Sequence, residues 1–308
     1  MRKLIIFFTL LSISLSDKLS ASLDEKRAEI CGRPLKPHKA PWAVRVIDNV
    51  NVYYSAILIS QRHVITVPYQ VMHSKNGTQN KIWIWSDGKE VNFEKCKDNV
   101  MELPKAMLKR LVGSLSTCKD PDVCGTSIER KIRAGWYIGS CEPGLHPFGF
   151  LLLEMTSNVA DDPYFVPACL PADKTVPSES GTAELHATAD PTDGHKPALI
   201  KAVPVKLIKC PHWKFDSQIC ANVTVCNGDP GGGIVKKIDG ADTVIGILLD
   251  HPGECKADTA GIVSMAYFKD KLCELAGICK AKINVESNGG GSTIKVPLIS
   301  VIALMMMF

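Results

Sequence analysis

The sequence predicts an all-β protein, and three observations predict it. Short β-branched runs separated by turn residues open the body of the chain, at Ala43–Ile47, Tyr54–Ser60 and His63–Val67. Lys81-Ile82-Trp83-Ile84-Trp85 alternates in the way a half-buried strand does. Similar runs return late in the chain, at Leu199–Ile208, Gly233–Ile238 and Thr243–Leu249. Short strands with frequent turns suit a barrel or a sandwich. No repeat of solenoid type is visible.

Length and composition set the outer bounds. A chain of 308 residues holds one large all-β domain or two smaller ones. A hydrophobic fraction of 45% is ordinary for a protein with a packed core. The formal charge is +4, but two of the 36 basic residues, Arg2 and Lys3, lie in a segment expected to be removed, leaving 34 against 32 acidic. That balance gives no reason to expect nucleic acid or an anionic membrane surface as a partner.

Taken in order, residues 1–16 read as a secretory signal peptide. Arg2 and Lys3 supply the charge, Leu4 to Leu15 the apolar run, and Ser14 and Ser16 the small residues before a cut. The run is too short to span a bilayer. Residues 17–30 are charged and helix-tolerant and read as an exposed lead-in. Cys31-Gly32-Arg33-Pro34 then opens a Pro- and Lys-rich stretch that ends at Pro41-Trp42, before the first strand.

Residues 93–145 differ in character. They carry Cys96, Cys118, Cys124 and Cys141 and one short helical candidate, Pro104–Val112, with proline at a tolerated first position. They read as a disulfide-pinned insertion. Phe148–Met155 is a fully apolar strand-like run, Asp173–His195 is polar and loop-like, and Tyr267–Leu275 fits a helix near the end of the domain. In the tail, 281–308, the small residues around Ser287-Asn288-Gly289 precede an apolar end from Val296 to Phe308. That order is the pattern of a GPI-anchor signal, with Ser287 or Asn288 as attachment points.

The chemistry-bearing residues agree with export. Twelve cysteines can all pair, and an exported chain with an even count favours disulfides. Zinc is disfavoured, because no paired C-x-x-C occurs and the eight histidines are scattered. Asn76-Gly77-Thr78 and Asn222-Val223-Thr224 are acceptors for N-glycosylation. Cys226-Asn227-Gly228-Asp229-Pro230-Gly231-Gly232-Gly233 is the stretch most suggestive of a site, since consecutive glycines let backbones approach closely and let φ turn positive.

That stretch resembles the nucleophile loop of the trypsin/chymotrypsin serine proteases, with Pro230 in the serine's place. The resemblance runs from about residue 31 to 275 and rests on order as much as on motif. Pro41-Trp42 precedes the first strand, and Ser55-Ala56-Ile57-Leu58-Ile59-Ser60 is similar to the next. Val64-Ile65-Thr66-Val67-Pro68-Tyr69-Gln70 is similar to the segment carrying the general base, with Tyr69 at the base's position. Gly149-Phe150-Leu151-Leu152-Leu153-Glu154-Met155 is similar to the strand headed by the buried aspartate, with Gly149 in its place. Pro167-Ala168-Cys169-Leu170-Pro171 and Gln218-Ile219-Cys220-Ala221-Asn222 follow in order. The chain looks similar to the divergent trypsin-like proteins expanded in nematodes.

The resemblance implies two six-stranded antiparallel barrels over residues 31–280, with the insertion and a short C-terminal helix. It implies the bridges Cys31–Cys169, Cys210–Cys220 and Cys226–Cys255. The pairing of Cys96, Cys118, Cys124, Cys141, Cys273 and Cys279 stays open. It also implies that serine chemistry is lost, since attack needs a hydroxyl, an imidazole and an orienting carboxylate. Of the two oxyanion donors, Gly228 keeps its N–H and Pro230 has none. No Ile-Val-Gly-Gly lies between Cys31 and Trp42, so Asp229 lacks the freed amine that such a loop aspartate pairs with and is expected to turn to local backbone donors. Thr224 stands at the base of the specificity pocket.

The expectation is an exported, monomeric, non-catalytic protease homologue without a cofactor, secreted or lipid-anchored, binding an unidentified extracellular protein. Two alternatives stand beside it. One is an active hydrolase using displaced residues, for which Ser60, Thr66 and the histidines are candidates in name only. The other is a structural or decoy surface protein with no specific ligand.

Overall fold

The computed structural model of the chain describes residues 18–281, apart from 35–39, 50–52, 76–81, 121–122, 143–147, 160–163, 173–180, 190–198, 212–214, 227 and 250–254. The signal segment, Asn76, Ser287, Asn288 and the apolar tail lie outside the described residues.

The chain begins with helix α1 (Ala21–Ile30), capped by the Ser20 hydroxyl, which accepts the Leu23 N–H at 3.3 Å. The lead-in was expected to be exposed, yet its Asp24 and Arg27 are buried as a pair 2.7 Å apart. The reason is at the other end of the chain. Asp24 Oδ2 accepts the N–H groups of Cys279 (2.9 Å) and Lys280 (2.7 Å), and Arg27 donates to the Lys280 carbonyl. Charges that read as solvated thus clasp the C-terminal end of the domain.

The first barrel contains β1 (Ala43–Ile47), β2 (Tyr53–Leu58) and β3 (His63–Thr66). The two-stranded hairpin β4 (Met72–Ser74) and β5 (Trp83–Trp85) follows. Then come β6 (Val100–Glu102), a single-turn helix α2 (Lys105–Leu108), β7 (Val112–Asp120), β8 (Val123–Gly139) and β9 (Gly149–Met155). The antiparallel order β7-β1-β2-β3-β9-β8 closes through β8–β9 pairing, with β6 added on β8. Residues 93–145 therefore contribute three strands where the sequence suggested only one short helix. The helix stops after a turn because Val112 already belongs to β7, which pairs with β1. The far half of β8 pairs with β7, and its near half reaches β9. Its charged outer residues, such as Glu129 and Lys131, hide the strand period in the sequence. Every side chain of β9 is buried, and Phe150 meets Phe268 edge-on at 5.6 Å.

The second barrel is β10 (Thr182–Ala189), β11 (Leu199–Ile208), β12 (Gln218–Val225), β13 (Gly233–Ile238), β14 (Ala241–Leu248) and β15 (Lys256–Ser264), closed in the order β10-β11-β12-β15-β14-β13. Two closed six-stranded antiparallel barrels are the architecture the resemblance implied. Strand β10 lies inside the stretch expected to be loop. Its inward residues Ala183, Leu185 and Ala187 join the second core, but two of the three are alanines, too weak an apolar signal to read as a strand. Helix α3 (Met265–Ala276) packs Phe268 and Leu272 on the first core.

Five disulfides form among the described residues. Cys31–Cys169, Cys210–Cys220 and Cys226–Cys255 are the implied bridges. Cys96 pairs with Cys141, and Cys273 with Cys279 across the end of α3. Cys118 and Cys124 stand opposite each other in the β7–β8 register, with side chains outside the described residues.

Candidate functional site

The glycine loop leaves β12 at Cys226 and turns back into β13. Asp229 is 1% exposed and sits at its centre, accepting the Cys226 N–H at 2.7 Å. The local donor was expected. The second partner was not: Lys201 Nζ, from β11, forms an ion pair with the same Oδ2. A buried carboxylate without a partner is costly, and Lys201 supplies the cation from 28 residues earlier in the chain. Nothing in the spacing of β11 marks this lysine among its neighbours.

The loop is sealed onto the first barrel. The Gly228 carbonyl accepts both the N–H (3.0 Å) and the hydroxyl (2.7 Å) of Ser55 on β2. Ser55 Oγ in turn accepts the Thr188 N–H at 2.8 Å, and the Thr66 hydroxyl donates to the Ser55 carbonyl at 2.6 Å. Gly231 has φ +87°, and a Cβ there would stand 1.9 Å from the Ser55 carbonyl oxygen, so only glycine fits. Pro230 between them is buried and brings no N–H to the junction.

The other two positions lie in the first barrel. Tyr69 occupies a 3₁₀ turn, Pro68–Gln70, half-buried against the first core. Gly149 begins β9 opposite Gly139 of β8. A Cβ on Gly149 would lie 2.3 Å from the Ile138 carbonyl oxygen, 2.7 Å from the Gly139 Cα and 2.9 Å from the Tyr137 ring. Tyr137 is fully buried and donates to the Ser140 carbonyl at 2.9 Å. Burial, and secondarily the neighbouring Tyr69, push its hydroxyl pKa well above the ordinary phenol range. The Tyr69–Tyr137–Gly149 corner is packed and uncharged.

The remaining positions are simpler. Thr224 is exposed on β12. Asn222, two residues before it, is also exposed and accepts the Thr259 hydroxyl at 3.3 Å. An acceptor for a glycan needs that exposure. Among the described residues, no cluster of three or more His, Cys, Asp or Glu is arranged to hold a metal ion.

One constellation was not drawn out of the sequence. Ser60 Oγ lies 2.7 Å from His63 Nδ1, and His63 Nε2 lies 3.8 Å from Glu154 Oε1. All three are fully buried. Ser60 Oγ accepts the backbone N–H groups of Arg62 (3.2 Å) and His63 (3.0 Å), closing the turn between β2 and β3. Glu154 is held by Arg62 at 3.2 Å and Arg133 at 2.6 Å. Burial first, then those two arginines, lower the His63 pKa to about 3. The spacing Ser60-x-x-His63 was visible; its meeting with Glu154 depends on the β3–β9 register, where His63 faces Glu154.

No curated protein matches the chain. A family model does, over residues 2–279, and its description is the nematode trypsin-6-like family. The match spans both barrels and the glycine loop with its flanking bridges. The twin closed barrels and the Cys31–Cys169, Cys210–Cys220 and Cys226–Cys255 bridges are what a trypsin-like chain needs. This serine-protease-like chain belongs to the nematode trypsin-6-like family.

Proposed function

We propose that the protein is an exported, non-catalytic serine-protease homologue that binds an extracellular protein. The observation that carries this reading is the closed corner at Gly149. A carboxylate there has no room, because its Cβ would meet the Ile138 carbonyl oxygen at 2.3 Å. An imidazole needs an orienting group, and a serine needs an imidazole. Here the corresponding positions hold Gly149, Tyr69 and Pro230. Tyrosine with an ordinary pKa near 10 is no base at neutral pH. Pro230 also removes one of the two backbone donors that stabilise an oxyanion, a loss worth ~10² to 10³ in rate by itself.

The displaced-residue hydrolase is the second reading, and Ser60–His63–Glu154 is the arrangement that favours it. Its chemistry is already committed. The hydroxyl caps a turn, the imidazole is held neutral, and the carboxylate is neutralised by two arginines. A fluorophosphonate probe separates the readings. The expected outcome is no labelling and no turnover on peptide libraries, for the protein itself and for Pro230→Ser. Labelling that disappears in Ser60→Ala would establish the hydrolase.

Export is supported by five disulfides and by the exposure of Asn222. We propose a lipid at Ser287 or Asn288, on the small residues that precede the charge-free apolar end; among the described residues no helix is long and apolar enough to cross a membrane. Phosphatidylinositol-specific phospholipase C should release the protein from cells. Recovery of a chain still ending at Phe308 excludes the anchor. Intact mass before and after deglycosylation and alkylation should show glycans on Asn76 and Asn222 and no free thiol. A pull-down from extracellular fluid distinguishes a binding module from a decoy without a ligand.

A further inference from the structure

A buried hydrogen bond between the two barrels depends on one proton. Trp42, at the head of β1, is fully buried and donates its indole N–H to His186 Nδ1 of β10 at 3.0 Å. The two ring planes are nearly parallel, 12° apart. Indole nitrogen is only a donor. His186 Nδ1 must therefore carry the lone pair, and Nε2 must carry the proton, which it gives to Glu184 Oε2 at 2.8 Å.

His186 is 3% exposed, but its partner Glu184 opens onto a cavity of about 630 Å³. The charged groups around that cavity are Glu184 on β10, Lys236 and Lys237 on β13, and Asp242 on β14. Burial raises the Asp242 carboxyl above the usual range; Lys237 and His186 pull it down, and Glu184 pushes it up. These groups sense one another. Glu184 links the Nε2 side of the imidazole to solvent.

We infer that Trp42, His186 and Glu184 form an acid-released latch between the barrels. Protonation of the imidazole puts an N–H on His186 Nδ1, the nitrogen whose lone pair accepts the indole N–H. The imidazolium then presents N–H to the indole N–H, two donors face to face, and the bond is lost. Trp42 is left with an unpaired buried donor, which loosens the head of β1 from β10. Glu184 and Asp242 stabilise the imidazolium; Lys236 and Lys237 oppose it.

The test follows the Trp42 indole proton by ¹H–¹⁵N NMR on the intact protein, assigned through Trp42→Phe. Between pH 7.5 and 5 its resonance should move along a single-site curve, with protection from solvent exchange, taken against the intrinsic indole rate at each pH, about tenfold lower at the acid end. His186→Gln keeps an acceptor that does not titrate, and in it the movement should vanish. Glu184→Gln, on the surface, removes charge that favours the imidazolium, so the midpoint should fall to lower pH. An indole resonance that does not move, or one that moves with the same midpoint in Glu184→Gln, overturns the inference. Overall stability is not the readout, because His63 also makes stability pH-dependent.

Discussion

The glycine loop of the second barrel and the Tyr69–Gly149 corner of the first are the stretches that the resemblance sets against a protease's chemistry, and they are built on opposite physics. The loop keeps a buried ion. Asp229 is 1% exposed, and Lys201 with one backbone N–H makes that burial tolerable. The corner admits no ion. Glycine faces glycine across β8 and β9, and the Ile138 carbonyl and Gly139 Cα stand where a side chain would start, with the Tyr137 ring 2.9 Å from it. The difference teaches that a site can be closed by shape or locked by charge, and that the two fail differently. A shape-closed site resists added atoms. A charge-locked site resists the loss of one partner.

The largest expected effect adds atoms to the corner. Gly149→Asp drives a Cβ into backbone at 2.3 Å and buries a carboxylate. We expect a loss of about 4 kcal/mol, read as a fall of roughly 10 °C in thermal midpoint. Normal stability in this variant would show that β8 and β9 can part, and the corner would not be closed by shape. Next in size is removal of the lysine. Lys201→Met leaves Asp229 buried without its cation and should cost about 3 kcal/mol. Adding Asp229→Asn should recover part of that loss. Additive effects in the double variant would mean that the pair is not coupled, and the loop would owe its position to packing alone.

A third experiment asks whether the first barrel keeps its buried imidazole neutral. His63 has a folded pKa of about 3, below the ordinary value of ~6.5. The unfolded chain therefore takes the proton first as pH falls. His63 contributes its full stability above about pH 6.5 and loses it as pH drops toward 3, about 2 kcal/mol by pH 5. Denaturant unfolding at pH 8 and pH 5 reads the difference. The ring protons of His63 should stay at their neutral positions at pH 5, and a shifted ring would show that the buried imidazole accepts charge.

How much of this was legible in the sequence divides along the same line. The resemblance carried the twin barrels and three bridges, because Cys31, Cys169, Cys210, Cys220, Cys226 and Cys255 sit within recognisable motifs. The residue at an aligned position is also visible: where the resemblance implies an aspartate, the chain has Gly149. What fills the vacated space is not visible. Tyr137 lies twelve residues before Gly149 and reaches it only through the pairing of β8 with β9. Lys201 was hidden for a related reason, since nothing local tells it from Lys206 in the mostly apolar β11 until the loop closes over it. Strand β10 was missed because alanine buries too little surface to print a period. The lead-in was expected to be exposed because nothing local shows that Asp24 and Arg27 of α1 bind the far end of the chain. Contacts distant in sequence, made by ordinary residue types, leave no local mark.

The smallest effect is the most discriminating, because it changes polarity at the corner without changing shape. Tyr137→Phe removes one hydroxyl and keeps the ring. The lost bond runs to the Ser140 carbonyl, and Ser140 is half-buried, so water can take the vacated acceptor. We expect a cost of about 1 kcal/mol or less, read as a shift of about 2–4 °C in thermal midpoint. If the hydroxyl and not the ring holds the corner, the loss will be several-fold larger. Tyr137→Ala then separates the remaining contacts. It should cost about 3 kcal/mol or more through the cavity it leaves. It still should not make room for Gly149→Asp, because the nearest obstacle at 2.3 Å is the Ile138 carbonyl, which no side-chain truncation moves. A double variant more stable than Gly149→Asp alone would place the obstruction in the tyrosine ring and leave the backbone of β8 free to yield.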